Sequence, residues 1–140
     1  TWQILKDENR FPVTLFEAAE KVDSGVIYAQ HWLEFNGHEL IDELRLAQAR
    51  ATLSLCNRFV DEYPQICEEA QEQVGKENFY PRRRAMDSQL DPAQTIEANF
   101  NLLRVVDNKR YPAFFDLNGW RYLLRVEKVP LPSSKQGISK

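Results

Sequence analysis

An α/β fold is predicted from three features of the sequence. Two short runs rich in β-branched and aromatic residues, 13–16 and 26–30, are separated by a charged loop that ends in a glycine. Residues 39–62 repeat apolar side chains at the three- and four-residue spacing of an amphipathic helix. Further along, two apolar runs flank Asn118-Gly119, the favoured two-residue turn of a β-hairpin. Strands on both sides of one long helix indicate an α/β chain.

The first elements enclose a turn that is a candidate site. Residues 1–6 are predicted as the end of a helix, and Pro12 precedes the first strand. The second strand follows Gly25, covers residues 26–30 and can extend through Trp32. The loop between the strands puts Asp23 at the edge of a sheet, a common position for working side chains.

The long helix is predicted to run from residue 39 to about residue 62. It ends before Pro64, because the residue before a proline disfavours helix. Its inward face comprises a stripe at helical spacing and four residues that broaden it: Leu40, Leu44, Ala47, Ala51, Leu55 and Phe59, with Ile41, Leu53, Cys56 and Val60. A further helical turn or two is expected within 65–73.

The last third is predicted as an extended segment, a helix and a hairpin. Residues 79–84, Phe-Tyr-Pro-Arg-Arg-Arg, are an aromatic and basic run. Asp91-Pro92 is a helix start, since Asp can cap and Pro suits the first helical position. That helix is expected to reach about Val106, with four residues inward: Ile96, Phe100, Leu103 and Val106. Residues 130–140, rich in Ser, Lys and Pro, are predicted to be disordered.

The composition fits one soluble, cytoplasmic globular protein. The chain has 140 residues and a hydrophobic fraction of 43%, which is typical of a folded domain. Its formal charge of −3 gives no general attraction for nucleic acid. No stretch approaches the ~18 apolar residues of a membrane helix. Cys56 and Cys67 are expected to be reduced structural residues, and no metal-ligand spacing surrounds them.

Each candidate motif, taken singly, also has a structural explanation. An Asp-x-Gly turn is usually structural, because Asp bonds its own backbone and Gly accepts positive φ. The run from Tyr80 to Arg84 is equally consistent with a solvated basic edge, and Asn101 and Arg104 with a helix surface. His31 and His38 stand alone in the sequence. We find no Gly-rich phosphate loop, nucleophile elbow or zinc motif.

The order of several sequence blocks is more specific than any one of them. Residues 2–5 (WQIL), 11–18 (FPVTLFEA) and 22–30 (VDSGVIYAQ) are followed by 79–91 and 101–114. Together they resemble the formyltetrahydrofolate-dependent formyltransferase family, over roughly residues 1–126. Its members carry a helix, a Thr-containing strand, a loop and an Asp-x-Gly-x-Ile-x-x-Gln segment in this order.

Within that family, the aromatic and basic run and the Asp-Asn-x-x-Tyr-Pro-Ala-Phe-Phe block at 107–115 are most similar to the sugar N-formyltransferases. The resemblance implies transfer of a formyl group from formyltetrahydrofolate to the amine of a nucleotide-linked amino-deoxy sugar, for polysaccharide biosynthesis. The alternatives are methionyl-tRNA formyltransferase and a non-catalytic module for nucleotide-sugar binding or dimerisation. The acidic charge and the single hairpin count against tRNA.

The resemblance also implies a fold class and domain boundaries. The chain is expected to be the C-terminal part of a formyltransferase-type Rossmann-like sheet domain that ends in a helix and a β-hairpin. Residues 1–78 would belong to the catalytic domain, 79–91 to a linker, 92–129 to the helix and hairpin, and 130–140 to the tail. A homodimer through the hairpin is a further expectation from its apolar side chains: Phe114, Phe115, Trp120, Tyr122 and Leu124.

The family's mechanism supplies roles for individual residues. The acceptor amine attacks the formyl carbon, which requires a proton acceptor and donors for the developing oxyanion. The resemblance assigns the catalytic aspartate to Asp23 and places Ala19, Glu20, Lys21 and Val22 along the folate pocket by position.

Five residues are candidates for binding the nucleotide sugar: Tyr80, Arg82, Arg83, Asn101 and Arg104. A planar guanidinium can grip a diphosphate, and an aromatic ring can stack on a base. An equal alternative is that Arg104 and Asp107 only lock the final helix to the hairpin.

One departure from the family limits these roles. The Asn-x-His segment that completes the catalytic set has no match here, and neither His31 nor His38 lies where that histidine belongs. The chain also begins at Thr1 without a methionine, in what looks like the middle of an element. It is therefore expected to be a piece that supplies only part of an active site, does not formylate alone and holds no metal.

Overall fold

The computed structural model describes residues 1–20, 24–75 and 79–131. In chain order the elements are helix α1 (Trp2–Leu5), strands β1 (Arg10–Phe16) and β2 (Ile27–Glu34), helix α2 (Ile41–Glu62), helix α3 (Gln65–Glu68), a short 3-10 helix (Ala85–Ser88), helix α4 (Phe100–Val105) and strands β3 (Ala113–Leu117) and β4 (Trp120–Leu124). The strands form two separate antiparallel pairs, β1–β2 and β3–β4. The mixture of helices and strands is as predicted, whereas the finer Rossmann-like arrangement stays a prediction.

The β1–β2 sheet is the surface on which α2 packs. Ala29 of β2, Leu55 of α2 and Ile66 of α3 form one buried cluster between them. Strand β1 begins at Arg10, earlier than predicted, and includes Pro12. A proline lacks a backbone N–H and is tolerated on an edge strand. Among the described residues, no strand pairs with the outer edge of β1.

Helix α2 confirms the predicted long helix but corrects its inward face. It ends at Glu62, directly before the Tyr63-Pro64 pair that was expected to stop it. The main stripe is buried at Leu44, Ala51 and Leu55. Leu53 and Val60, which were expected to broaden that stripe, are instead 65% and 74% exposed, and Cys56 is exposed too. They lie on the opposite side of the helix, because 3.6 residues make one turn.

Helix α4 starts at Phe100, so the predicted start at Asp91-Pro92 is wrong. The buried side chain of Asn99 donates to the carbonyl oxygens of Asp91 (3.2 Å) and Thr95 (3.0 Å), and its own oxygen accepts from the Asp91 N–H at 3.3 Å. These bonds hold 91–99 as a series of turns. Asp91 still caps a turn by accepting from the Ala93 N–H at 2.9 Å. Ile96, expected inward, is 66% exposed.

The hairpin is confirmed. Strands β3 and β4 pair from Ala113 with Leu124 to Leu117 with Trp120. Asn118 and Gly119 have φ of 51° and 81°, and a two-residue turn with both φ values positive matches the twist of a hairpin.

Packing crosses the predicted linker. Ile4 of α1, Leu44 of α2 and Val105 of α4 form one buried cluster. The predicted domain boundaries stay predictions. Of the predicted tail, residues 132–140 lie outside the described residues.

Candidate functional site

The turn that carries the predicted catalytic aspartate is described only on either side of it. Asp23 lies outside the described residues, as do Lys21 and Val22 of the predicted folate loop. Ala19 and Glu20 are exposed just after β1. Their assigned roles stay predictions.

Gly25, two residues after Asp23, is pressed against the end of β1. A Cβ atom at this position would lie 2.0 Å from the carbonyl oxygen of Glu17. The Glu17 N–H also donates to the carbonyl of Val26 at 2.9 Å. From the other side, the Gln73 side chain donates to the Gly25 carbonyl at 2.7 Å. The part of the turn that follows Asp23 is therefore held by three close contacts, and only glycine fits at position 25.

The aromatic part of the predicted substrate cluster is attached to α1. The ring of Tyr80 stacks on Trp2 with 6.0 Å between centroids. Lys6 donates to the Tyr80 hydroxyl at 3.0 Å, and its ammonium lies 4.7 Å from the ring centroid. The Trp2 indole donates to the Pro81 carbonyl at 3.1 Å. Tyr80 thus has protein partners on its ring and on its hydroxyl.

The three consecutive arginines differ in their surroundings. Arg82 is exposed, whereas Arg83 is half-buried. The guanidinium of Arg83 donates to the carbonyl of Asp87, and burial lowers the pKa of Arg83 while the nearby Asp87 opposes that shift. The backbone N–H of Arg84 donates to the Asp87 carboxylate. Arg83 therefore keeps a poorly solvated charge whose hydrogen bond goes to a neutral carbonyl, and an anion would stabilise it.

A cavity of about 680 Å³ runs along β1 and connects these regions. It extends from Phe16, beside the Gly25 turn, to Arg83 and Arg84 of the linker. Thr14 and Tyr111 also line it. Sequence reasoning missed the part played by Arg84, although it lies in the same basic run.

Arg104 is buried rather than presented to a ligand. Its side chain is 1% exposed, and all three guanidinium nitrogens donate to protein atoms. Nε donates to the carbonyl of Glu39 (3.2 Å), Nη1 to Oδ1 of Asn101 (2.9 Å) and Nη2 to the Glu39 carboxylate (3.4 Å). Asn101 in turn donates to the carboxylate of Asp7 at 3.2 Å. This network favours the structural explanation of Arg104, but it joins α4 to the segment before α2, not to the hairpin.

Two carboxylates beside this network have depressed pKa values. Burial raises the pKa of Glu39, but hydrogen bonds, first from the Asn36 backbone, outweigh it and bring the pKa to about 2. The pKa of Asp107 also falls to about 2, through the Arg110 backbone N–H, the Arg45 side chain and the Lys109 N–H. Arg45 of α2 lies 2.9 Å from Asp107, so Asp107 is tied to α2 as well.

Three further observations concern the described part of the chain. His31 and His38 are both exposed. No group of three or more His, Cys, Asp or Glu side chains there could hold a metal ion. No helix there combines the length and the apolar character needed to cross a membrane.

Comparison with solved structures identifies the fold. A protein from Mycobacterium tuberculosis for which a sugar N-formyltransferase activity has been suggested superposes with a TM-score of 0.71 at 19% identity, over 94% of this chain and 58% of that one. The chain has a formyltransferase-like fold. Methionyl-tRNA formyltransferase from Clostridium thermocellum gives a TM-score of 0.67 at 17% identity, over 85% of this chain and 51% of that one. A 4-N formyltransferase from Francisella tularensis gives 0.64 at 18% identity, over 93% and 55%.

The chain spans about half the length of these formyltransferases. No family model matches the sequence.

Proposed function

We propose that this chain is the C-terminal part of an enzyme that transfers a formyl group from formyltetrahydrofolate to the amine of a nucleotide-linked amino-deoxy sugar. The observation that carries the proposal is the ordered set of formyltransferase-like sequence blocks on a chain with a formyltransferase-like fold. Fold similarity is shared with proteins described as acting on sugars and on methionyl-tRNA. The acceptor must therefore be argued from the residues of this chain.

The cavity along β1 supports an elongated anionic acceptor. Its linker end holds Arg83, whose half-buried guanidinium is suited to a diphosphate. Its other end reaches Phe16, beside the turn that leads to Asp23. A nucleotide-linked sugar bound with its diphosphate at Arg83 would extend its amine toward that turn.

In the proposed reaction, Asp23 acts on the amine and the folate lies along residues 19–22. The amine must lose a proton as it attacks the formyl carbon, and a carboxylate beside it can take that proton directly or through water. The remaining donors for the oxyanion would come from the half of the domain that this chain does not span. The outer edge of β1, unpaired among the described residues, borders the cavity and is open to further strands.

The predicted substrate residues are proposed to have different roles. Arg82 and Arg83 keep their proposed roles as diphosphate ligands. Tyr80 and Asn101 are proposed to shape the linker end of the site through Lys6 and Asp7. The homodimer through the hairpin stays a proposal. Of its predicted surface, Trp120 and Tyr122 are 72% and 45% exposed, whereas Phe114 is buried and cannot contribute to it.

Calorimetric titration with a panel of nucleotide-linked amino sugars tests the acceptor. Arg83→Ala should weaken binding at least tenfold, because a charge-assisted bond to phosphate is lost. Arg50→Ala, at an exposed arginine of α2, is the matched control and should bind like the parent. Salt-sensitive binding of initiator tRNA, with no binding of nucleotide sugars, would contradict the proposal.

A further inference from the structure

Helix α2 has a second apolar stripe, on the face that points away from the β1–β2 sheet. Leu46, Leu53 and Val60 recur every seven residues, and Ala49 and Cys56 occupy the positions between them. The three larger side chains are 51%, 65% and 74% exposed. These five residues are called the outer stripe below.

The spacing of the outer stripe matches what another helix requires. Apolar residues that alternate at intervals of three and four form the seam of helices packed knobs-into-holes. A helix face that meets only water normally carries charged and polar side chains. Contiguous exposed apolar side chains therefore mark an interaction surface, and the chemistry of this one fits a helix with a similar seam.

We propose that the outer stripe packs against the outer stripe of a second copy of this chain, with the two α2 helices antiparallel. When Leu53 faces Cys56 of the second copy, Ala49 faces Val60 of the second copy. Every large side chain at the centre then meets a small one, which lets the two surfaces interdigitate. The twofold axis repeats each of these contacts, so one stripe satisfies both copies.

The charges beside the outer stripe favour the antiparallel direction. Arg50 and Asp61 are separated by about three helical turns and share one flank of α2. Both line a shallow surface groove next to Leu53, and neither has an ion-pair partner among the described residues. In an antiparallel pair the same flanks meet, which brings Arg50 toward Asp61 of the second copy. In a parallel pair opposite flanks meet instead, so Arg50 and Asp61 of the two copies would not be brought together.

This surface is distinct from the hairpin and needs neither folate nor acceptor. The packed face of α2 stays on its own sheet, because Leu44, Ala51 and Leu55 point the other way. The proposal therefore stands or falls separately from the proposed reaction.

Sedimentation equilibrium of the 140-residue chain tests the pairing. In a Trp120→Ser background, which removes the proposed hairpin contact, the chain should have twice the 16.4 kDa mass of one chain, and adding Leu53→Glu should reduce it to the mass of one. Gln48→Glu adds the same charge at an exposed position of α2, away from the outer stripe and from the flank of Arg50 and Asp61, and should leave the dimer intact. Circular dichroism checks that both variants keep their helix. A monomeric Trp120→Ser chain, or one whose mass Leu53→Glu leaves unchanged, overturns the proposal.

Disulfide trapping tests the direction. Under mild oxidation in a Cys67→Ser background, which removes the other free cysteine, Leu53→Cys should cross-link to the native Cys56 of the second copy, because the proposed pairing brings the two within the ~7 Å between Cα atoms that a disulfide allows. Adding Cys56→Ser should abolish that cross-link. A cross-link that persists in the Leu53→Cys/Cys56→Ser chain would indicate parallel helices and refute the antiparallel assignment.

Discussion

The glycine after Asp23 fixes the position of the predicted catalytic turn. Its missing side chain lets the Glu17 carbonyl approach to where a Cβ would lie at 2.0 Å. The sequence motif explains the glycine by its tolerance of positive φ, but Gly25 does not have a positive φ, and a close backbone contact is the reason instead. The hydrogen bond from the Gln73 side chain to the Gly25 carbonyl could not be predicted from the sequence, because Gln73 and Gly25 lie 48 positions apart.

Gly25→Ala should displace this turn and cost about 1–3 kcal/mol of unfolding free energy, because the neighbour is backbone and cannot swing away. Urea denaturation measures the cost. Hydrogen exchange at the Glu17 amide, which bonds Val26, should accelerate. Gly37→Ala is also strained, because Gly37 has a φ of 92°, but it meets nothing within 4 Å and lies away from this turn, so it should leave that amide protected. Equal protection of Glu17 in both variants would show that the contact does not hold the turn.

The carboxylate of Asp107 makes stability depend on acid pH. Its pKa is about 2 in the folded chain and 3.8 as a free side chain, so the folded state binds its proton less readily. Its contribution is complete above about pH 4 and is lost as the pH falls through about 2. Asp107→Asn should therefore lose less stability than the parent between about pH 5 and about pH 3.

Denaturant unfolding at the two pH values checks this prediction for Asp107. Glu97→Gln, which removes an exposed carboxylate, should keep the acid dependence of the parent. Parallel stability curves for the parent and Asp107→Asn would mean that the carboxylate is not held as the structure shows.

Among the elements, α2 and the hairpin were predictable because local patterns determine them. A helical repeat, a terminal proline and an Asn-Gly turn each act within a few residues. Helix α4 was predicted too early because Asn99 uses its side chain to hold the preceding turns, a choice that the capping pattern at Asp91 does not reveal. The burial of Arg104 was likewise invisible, since Glu39 lies 65 positions away.

Arg104 joins α4 to α2 through Glu39. Arg104→Met should destabilise the chain by about 3–5 kcal/mol, because it leaves the Glu39 carboxylate partly buried without its cation. Arg104→Met combined with Glu39→Gln should recover part of that loss. Thermal and urea unfolding of the two variants measure the free energy of unfolding that is lost and the part that is recovered. If Arg104→Met is as stable as the parent but binds nucleotide sugar poorly, Arg104 is a ligand after all.

At the scale of the whole molecule, the family resemblance predicted the formyltransferase-like fold, whereas the cavity is seen only in the structure. The sequence blocks indicated a formyltransferase, and solved formyltransferases superpose on 85–94% of the chain. Composition and periodicity did not reveal that β1 borders an open cavity, because that cavity joins β1 to a linker some 70 residues away. The chain spans about half of the length of those proteins.

The role of Asp23 is tested most directly by formyl transfer itself. The assay uses an enzyme that contains these 140 residues together with the rest of the domain, formyltetrahydrofolate and nucleotide-linked amino sugars. We expect N-formyl product from the parent and at least about a hundredfold lower turnover from Asp23→Asn with unchanged folding. Asp42→Asn, whose side chain is 93% exposed, should keep parental turnover. Near-parental formylation by Asp23→Asn, or no formylation of any nucleotide-linked amino sugar by the parent, would contradict the account.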